Sequence, residues 1–221
     1  MNNYILLSHE LSDSLSAYGN GKRISVNTLH SMKNGDSSNN TSIELPSHYG
    51  THIDLPRHFL ENGKTLSSYN ISNFISEKIQ IIDARFYSPH NFLIKEDLLK
   101  DQAPSDTIDV VLIYFDYSSQ RGSEKYWKYN PGFSFSFAEQ LKLKYPNIKI
   151  FGFDLMSLSS YQQREIGRDA HKVFLSNDII ILEDMNMACF DKVIPLLKRI
   201  IVAPLMVKGA EGAPVTVIGE Y

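Results

Sequence analysis

The segment Ser47-His48-Tyr49-Gly50-Thr51-His52-Ile53-Asp54-Leu55-Pro56-Arg57-His58 holds three of the chain's seven histidines together with a carboxylate. His48, His52, Asp54 and His58 all stand at even positions. On an extended chain, side chains two apart share a face, so these four would point one way. A helix would scatter them: at about 100° per residue, His48 and His52 coincide while Asp54 and His58 turn to nearly the opposite side. Pro46, Gly50 and Pro56 also oppose a helix. A straight strand, however, would hold His48 and His52 about 13 Å apart at about 3.3 Å per residue. That is too far for both to reach one ion at about 2.0–2.1 Å. The sequence therefore predicts a bend at Gly50, the residue best able to adopt the backbone of a bulge or tight turn.

Neutral imidazoles with a carboxylate suit zinc, manganese or iron better than calcium. Four ligands from one segment would close a structural site, whereas catalysis needs an open position. His58 is therefore read as an acid/base group beside the ion and not as a ligand. The same residues would also serve an ordinary hydrogen-bonded surface loop, and the segment by itself leaves both readings open.

Composition narrows the classes. With 221 residues, 43% of them hydrophobic, the chain can build a substantial core as one large domain or two small ones. A formal charge of −3 without a basic tract argues against nucleic acid or an anionic membrane as partner, and for a small-molecule substrate. One cysteine, Cys189, excludes an internal disulfide, agrees with a reducing compartment, and is read as core filler. Residues 1–10 lack a basic n-region, and no stretch approaches the ~20 apolar residues of a membrane span. A soluble, cytoplasmic protein is expected.

These residues need a scaffold. Residues 4–7 read as a short strand, followed by a polar loop through Gly21 in which Tyr18-Gly19 is either a turn, the favoured reading, or an aromatic lip over a pocket. Residues 23–30 suit a second strand, and the polar run 33–40 a hairpin end or flap. Four apolar runs follow, at 79–82, 110–115, 148–153 and 179–182, and three of them lack a polar face, as expected of strands covered on both sides. Helix-like stretches lie between them at 94–100, 135–144 and 163–175, which predicts βα alternation. An acid follows each run: Asp83, Asp116, Asp154 and Glu183. Strand C-termini are where such sheets bind ligands. At least two of these acids are expected to be caps or loop acceptors. Glu183 stands apart, because it follows the most hydrophobic run and its buried charge calls for a cation. His171 sits in the helix before that strand, where a partly exposed surface role is the default reading. Residues 200–205 and 209–218 read as a strand, a glycine-rich turn and a final strand. No repeat or linker appears, so a single domain over 1–221 is expected.

Together these residues resemble the cyclase-like metal-dependent hydrolases, the family of bacterial kynurenine formamidase and isatin hydrolase. The signature His-x-Gly-Thr-His-x-Asp-x-Pro-x-His is matched by His48, Gly50, Thr51, His52, Asp54, Pro56 and His58. Tyr126 with Pro131-Gly132-Phe133, Asp154 with Ser157-Leu158, His171 ahead of Ile181-Leu182-Glu183, and the terminal Gly-Ala-Glu-Gly-Ala-Pro-Val extend the likeness over nearly the whole chain. The resemblance implies an α/β swivelling β/β/α fold with a mixed sheet and flanking helices, in a homodimer. It implies a divalent metal, zinc first and manganese or iron as alternatives, one or two per subunit. His48, His52 and Asp54 match the ligands of a first ion. His171 and Glu183 match those of a second, with Asp54 and Glu183 shared. His58 matches the catalytic histidine.

The expected reaction is hydrolysis of an amide C–N bond by metal-activated water, with N-formylkynurenine as first substrate and Tyr18 as substrate-binding residue. This chain carries Leu55 and Tyr18 where formamidases commonly have alanine and, in the N-terminal loop, tryptophan. Two other readings stay open. One is a same-family hydrolase or cyclase acting on another cyclic or aromatic amide, lactone or ester. The other is a metal-holding or ligand-binding protein without turnover.

Overall fold

Strand and helix follow the apolar pattern closely in the computed structural model, which describes residues 3–15, 17–193 and 196–221. Ser16, within the polar N-terminal loop, lies outside them. The strands are β1 (Tyr4–Leu6), β2 (Ser25–His30), β3 (Asn40–Glu44), β4 (His52–Asp54), β5 (Ile75–Ser76), β6 (Ile79–Asp83), β7 (Leu93–Ile94), β8 (Val110–Tyr114), β9 (Gly132–Phe133), β10 (Ile150–Phe153), β11 (Ile180–Glu183), β12 (Arg199–Pro204) and β13 (Gly212–Glu220). The helices are α1 (Glu124–Lys128), α2 (Phe135–Lys144), α3 (Arg164–Ser176) and α4 (Phe190–Val193).

The four apolar runs form a parallel block, β6-β8-β10-β11. Every residue of β8, β10 and β11 is buried, and only the edge strand β6 is partly open. A strand without a polar face needs cover on both sides, and the sheet has it. On one face α2 and α3 pack Phe137, Leu141 and Phe174 against Phe151 and Phe153. On the other, Leu112 and Leu182 meet Ile53, Val202 and Val217.

The sheet is mixed because β4 runs antiparallel to β11 and is followed by β13, β12 and β5, all antiparallel to their neighbours. The first residues of β13, Gly212–Pro214, pair with β4, and its remainder pairs with β12 and β1. This is the expected single-domain α/β fold with one large mixed sheet and few helices.

Three local expectations change. The helix expected at 94–100 is a strand, β7, followed by one 3₁₀ turn at Glu96–Leu99, because Leu93 and Ile94 pair with Gly132 and Phe133. The second strand starts at Ser25, not at 23. The histidine segment does not present one extended face: β4 spans His52–Asp54, and His58 ends a 3₁₀ turn, Pro56–His58, opened by the proline.

Helix α3 carries His171. It buries Gly167, Ala170, His171, Phe174 and Leu175, the i, i+3, i+4, i+7, i+8 stripe of an amphipathic helix. Phe174 anchors it by stacking on Phe151, with ring centroids 4.8 Å apart and planes 3° from parallel. Phe174→Ala is expected to destabilise the fold by about 3–5 kcal/mol in urea titration. A loss under about 1 kcal/mol would show that α3 is held by other contacts.

Candidate metal centre

Gly50 has φ +67°, and the chain turns there as its position predicted. The turn folds His48 back beside His52, leaving their ring centroids 5.2 Å apart. His52 Nδ1 donates to the Gly50 carbonyl at 2.8 Å, which leaves Nε2 as the lone-pair nitrogen. From β11, paired register against register with β4, Glu183 stands opposite His52. From α3, His171 Nδ1 donates to the Gly167 carbonyl at 2.8 Å and presents Nε2 to the same point.

Four contacts close the cluster. His52 Nε2 lies 3.4 Å from Asp54 Oδ1 and 3.4 Å from Glu183 Oε2. His171 Nε2 lies 3.5 Å from Asp54 Oδ2 and 3.5 Å from Glu183 Oε1. These separations exceed a normal hydrogen bond. They match the edge of a tetrahedron around an ion with ligands at about 2.0–2.1 Å, which is about 3.4 Å. Asp54 Oδ1 also meets His48 Nδ1 at 2.7 Å, and Oδ2 lies 4.0 Å from His58 Nε2. His52, Asp54 and Glu183 form one group able to hold an ion, and His48, Asp54 and His58 a second, with Asp54 common to both.

The electrostatics ask for a cation. Asp54 is 1% exposed and Glu183 3%, and among the described residues neither pairs with lysine or arginine. Burial would lower the imidazole pKa values, yet the two carboxylates outweigh it and raise His52 to about 9 and His171 to about 10. Burial likewise opposes ionisation of Asp54, but the surrounding histidines hold its carboxyl well below the usual range. Protons on His52 and His171 here occupy the place a divalent ion would take. His58 differs: burial dominates and lowers its pKa, so it is neutral and able to accept a proton. It lies tilted over His48, with centroids 4.0 Å apart, on the open side of the cluster.

The other strand-end acids do not reach the centre. Asp83 pairs with Arg85, Asp116 accepts from the Tyr114 hydroxyl, and Asp154 accepts the Phe115 and Tyr117 amides, both at 2.8 Å. Glu183 is the exception its burial suggested, and the Leu158 amide donates to its Oε1 at 2.7 Å. His171 is buried rather than surface-exposed, because its helix packs this face onto the sheet.

Sequence reasoning missed Glu211, whose Oε1 accepts from Ser47 Oγ at 2.7 Å and lies 3.2 Å from His48 Nε2. Its signal was the terminal Gly-Ala-Glu-Gly-Ala-Pro motif. Gly212 beside it has a reason: a Cβ there would stand 2.6 Å from His48 Cε1 and 2.7 Å from the Ile53 carbonyl. It also missed the support behind Glu183. Asp184, at φ +53°, takes Arg121 Nη2 at 2.8 Å and the Tyr126 hydroxyl, while Thr51 Oγ1 donates to its carbonyl at 2.6 Å.

The cluster opens into a cavity of about 460 Å³ whose further wall includes Tyr18, Phe59, Met156, Arg164 and Arg168. Tyr18 begins a 3₁₀ turn, Tyr18–Asn20, with Gly19 at φ +64°. It is thus both a turn residue and part of the cavity wall.

The model of the Cyclase family, described as "Putative cyclase", matches residues 5–160. The chain belongs to this family. Among cyclase-family relatives, cyclase-like protein 3 of Oryza sativa subsp. japonica is 26% identical over 197 residues, covering 85% of this chain and 68% of that one. Kynurenine formamidase of Bacillus cereus is 24% identical over 216 residues, covering 97% and 96%. In three dimensions the fold is shared with isatin hydrolase A of Labrenzia aggregata, with a TM-score of 0.78 at 19% identity over 99% of this chain and 93% of that one. It is shared equally with a potential metal-dependent hydrolase with cyclase activity, with a TM-score of 0.76 at 21% identity over 100% and 98%.

Two outcomes follow from this cyclase-family centre. Because the pKa values of His52 and His171 are raised in the fold, their protons stabilise metal-free protein fully below the ordinary 6.5, and that stabilisation is lost as pH rises through about 9 and about 10. Melting curves with chelator should fall between pH 6.5 and 10, and the fall should shrink once a divalent ion is added; a flat metal-free curve would contradict the account. Gly212→Ala should cost about 1–3 kcal/mol through overpacking against His48. It should also weaken metal retention in elemental analysis after dialysis, and unchanged retention would show that His48 is not a ligand.

Proposed function

We propose that this chain is a metal-dependent amidohydrolase that cleaves an amide C–N bond with water, acting as an arylformamidase on N-formylkynurenine. The observation that carries the reading is the buried pair Asp54 and Glu183 facing His52 and His171 at 3.4–3.5 Å, with His58 beside them at an open cavity. The kinship with kynurenine formamidase over nearly the full length of both chains supports it.

In this reading His48, His52, Asp54, His171 and Glu183 would hold one or two divalent ions. A divalent ion supplies a Lewis acid that lowers the pKa of water from 15.7 to about 7 and polarises a carbonyl oxygen. Zinc is the first candidate for a donor set of imidazole and carboxylate. His58, neutral through burial, takes the proton of the attacking water and returns it to the leaving nitrogen. A C–O bond forms, the C–N bond breaks, and formate leaves the arylamine. Tyr18 and Phe59 offer aromatic faces in the cavity for the aryl ring. The protein is further proposed to be a homodimer, in keeping with the resemblance, and cytoplasmic, in keeping with its single cysteine.

A second reading keeps the centre and changes the substrate to another cyclic or aromatic amide, lactone or ester. Tyr18 on the cavity wall favours it, since a tyrosine stands where formamidases carry a larger tryptophan. The test is hydrolysis of N-formylkynurenine and isatin with and without chelator. Activity on isatin alone selects the second reading, and activity on neither moves weight to another substrate within that reading or to a metal-holding protein without turnover. His58→Ala should lower kcat by about 10²–10⁴ while keeping its metal. Asp54→Ala should lose both. Loss of metal from His58→Ala would make His58 a ligand instead of the acid/base group, a possibility its place in the His48–Asp54–His58 group keeps testable.

A further inference from the structure

Helix α3 presents Arg164, Arg168 and His171 at i, i+4 and i+7, so the three share one face, and all three line the cavity. At about 1.5 Å rise per residue, Arg168 lies about 4.5 Å and Arg164 about 10 Å from His171 along the helix axis, and both are exposed where His171 is buried. A cation row thus leads away from the metal centre on the same element that supplies one of its imidazoles.

Arg164 is held in place without an acidic partner. Its guanidinium sits 3.9 Å over the Tyr161 ring. Its Nη2 would be 3.7 Å from a Cβ placed on Gly19, so the turn that carries Tyr18 passes close by. Among the described residues no carboxylate pairs with it. Arg168 pairs with Glu165 Oε1 at 2.5 Å, an exposed contact that water and other anions readily replace. The Tyr18 turn closes in on the same side: its ring packs edge-on against Tyr161, with centroids 6.3 Å apart. Among the described residues, an oriented guanidinium without a carboxylate partner, framed by two aromatic rings on the cavity wall, forms an incomplete anion site.

We propose that Arg164, seconded by Arg168, determines specificity by binding a carboxylate carried by the substrate at the end remote from the scissile amide. The substrate class is an acyl-arylamine bearing an acid side chain. The planar guanidinium fork matches a carboxylate, and its stack on Tyr161 limits the entropy lost on binding. The inference rests on the hydrolase reading for the word substrate, but the subsite itself is testable by binding alone.

Equilibrium titration of the metal-containing protein with kynurenine and with kynurenine carboxamide isolates the carboxylate, because both keep the aryl ketone and the ammonium group. Kynurenine should bind about 10- to 100-fold more tightly at low ionic strength, as expected for charge-assisted hydrogen bonds, and added salt should narrow the gap. Arg164→Gln should reduce the preference to within about twofold, with Arg164→Lys intermediate, since an ammonium keeps the charge and loses the fork. Melting curves of both variants check that they fold. Equal affinity of the two compounds for the unaltered protein, failure of kynurenine to bind it, or an Arg164→Gln preference as large as before would each overturn the proposal. Hydrolysis of N-formylkynurenine, assayed in parallel, separates the two ideas: the preference without hydrolysis sinks the arylformamidase reading and leaves the subsite standing, and hydrolysis without the preference does the reverse.

Discussion

Two carboxylates, Asp54 and Glu183, are buried between two imidazoles at distances too long for hydrogen bonds, and most of the architecture serves that one unfavourable arrangement. Uncompensated negative charge in an apolar interior is expensive enough to unfold a domain of this size. Protons on His52 and His171 compensate it in the metal-free protein, and a divalent ion would do so more completely. The same requirement makes the site chemically useful, because a cation held by buried ligands on one side and open to a cavity on the other has somewhere to place water and a carbonyl.

The sheet meets this demand by bringing three elements to one point. Antiparallel pairing of β4 with β11 sets His52 opposite Glu183. The stack of Phe174 on Phe151 fixes α3 so that His171 faces inward. Glycines make the close approaches possible: Gly50 turns the chain at φ +67°, and Gly212 leaves room for the His48 ring. Around Glu183, the Leu158 amide and the neighbouring Asp184–Arg121–Tyr126 network hold the strand end in place. Ligands whose free nitrogen is fixed by a backbone carbonyl, as in His52 and His171, keep one tautomer and one direction.

The cavity beyond the cluster is less constrained than its floor. Tyr18 comes from the N-terminal turn, Phe59 from just after the motif, and Arg164 and Arg168 from α3. Of these, Phe59 also packs on the His171 ring, with centroids 4.7 Å apart, and so couples the cavity wall to the buried centre.

Much of this was legible in the linear chain, for physical reasons. Short apolar runs within residues 110–115, 148–153 and 179–182 read as doubly covered strands, and β8, β10 and β11 are buried throughout. The even spacing of His48, His52 and Asp54, with Gly50 between, demanded a bend if the two imidazoles were to reach one ion. An acid after the most hydrophobic strand had to find a cation. What local sequence could not decide was convergence over distance. Whether His171 faces water or Glu183 depends on how α3 lies on the sheet. Whether residues 94–100 are helix or strand depends on Gly132–Phe133 being there to pair. That Glu211 reaches His48 depends on β13 running beside β4. The sequence by itself determined which residues could ligate an ion and which segments had to be buried, because composition and spacing act locally. Only the tertiary structure decided which of them meet, because side chains as far apart in the chain as Asp54 and His171 are brought within 3.5 Å by packing alone.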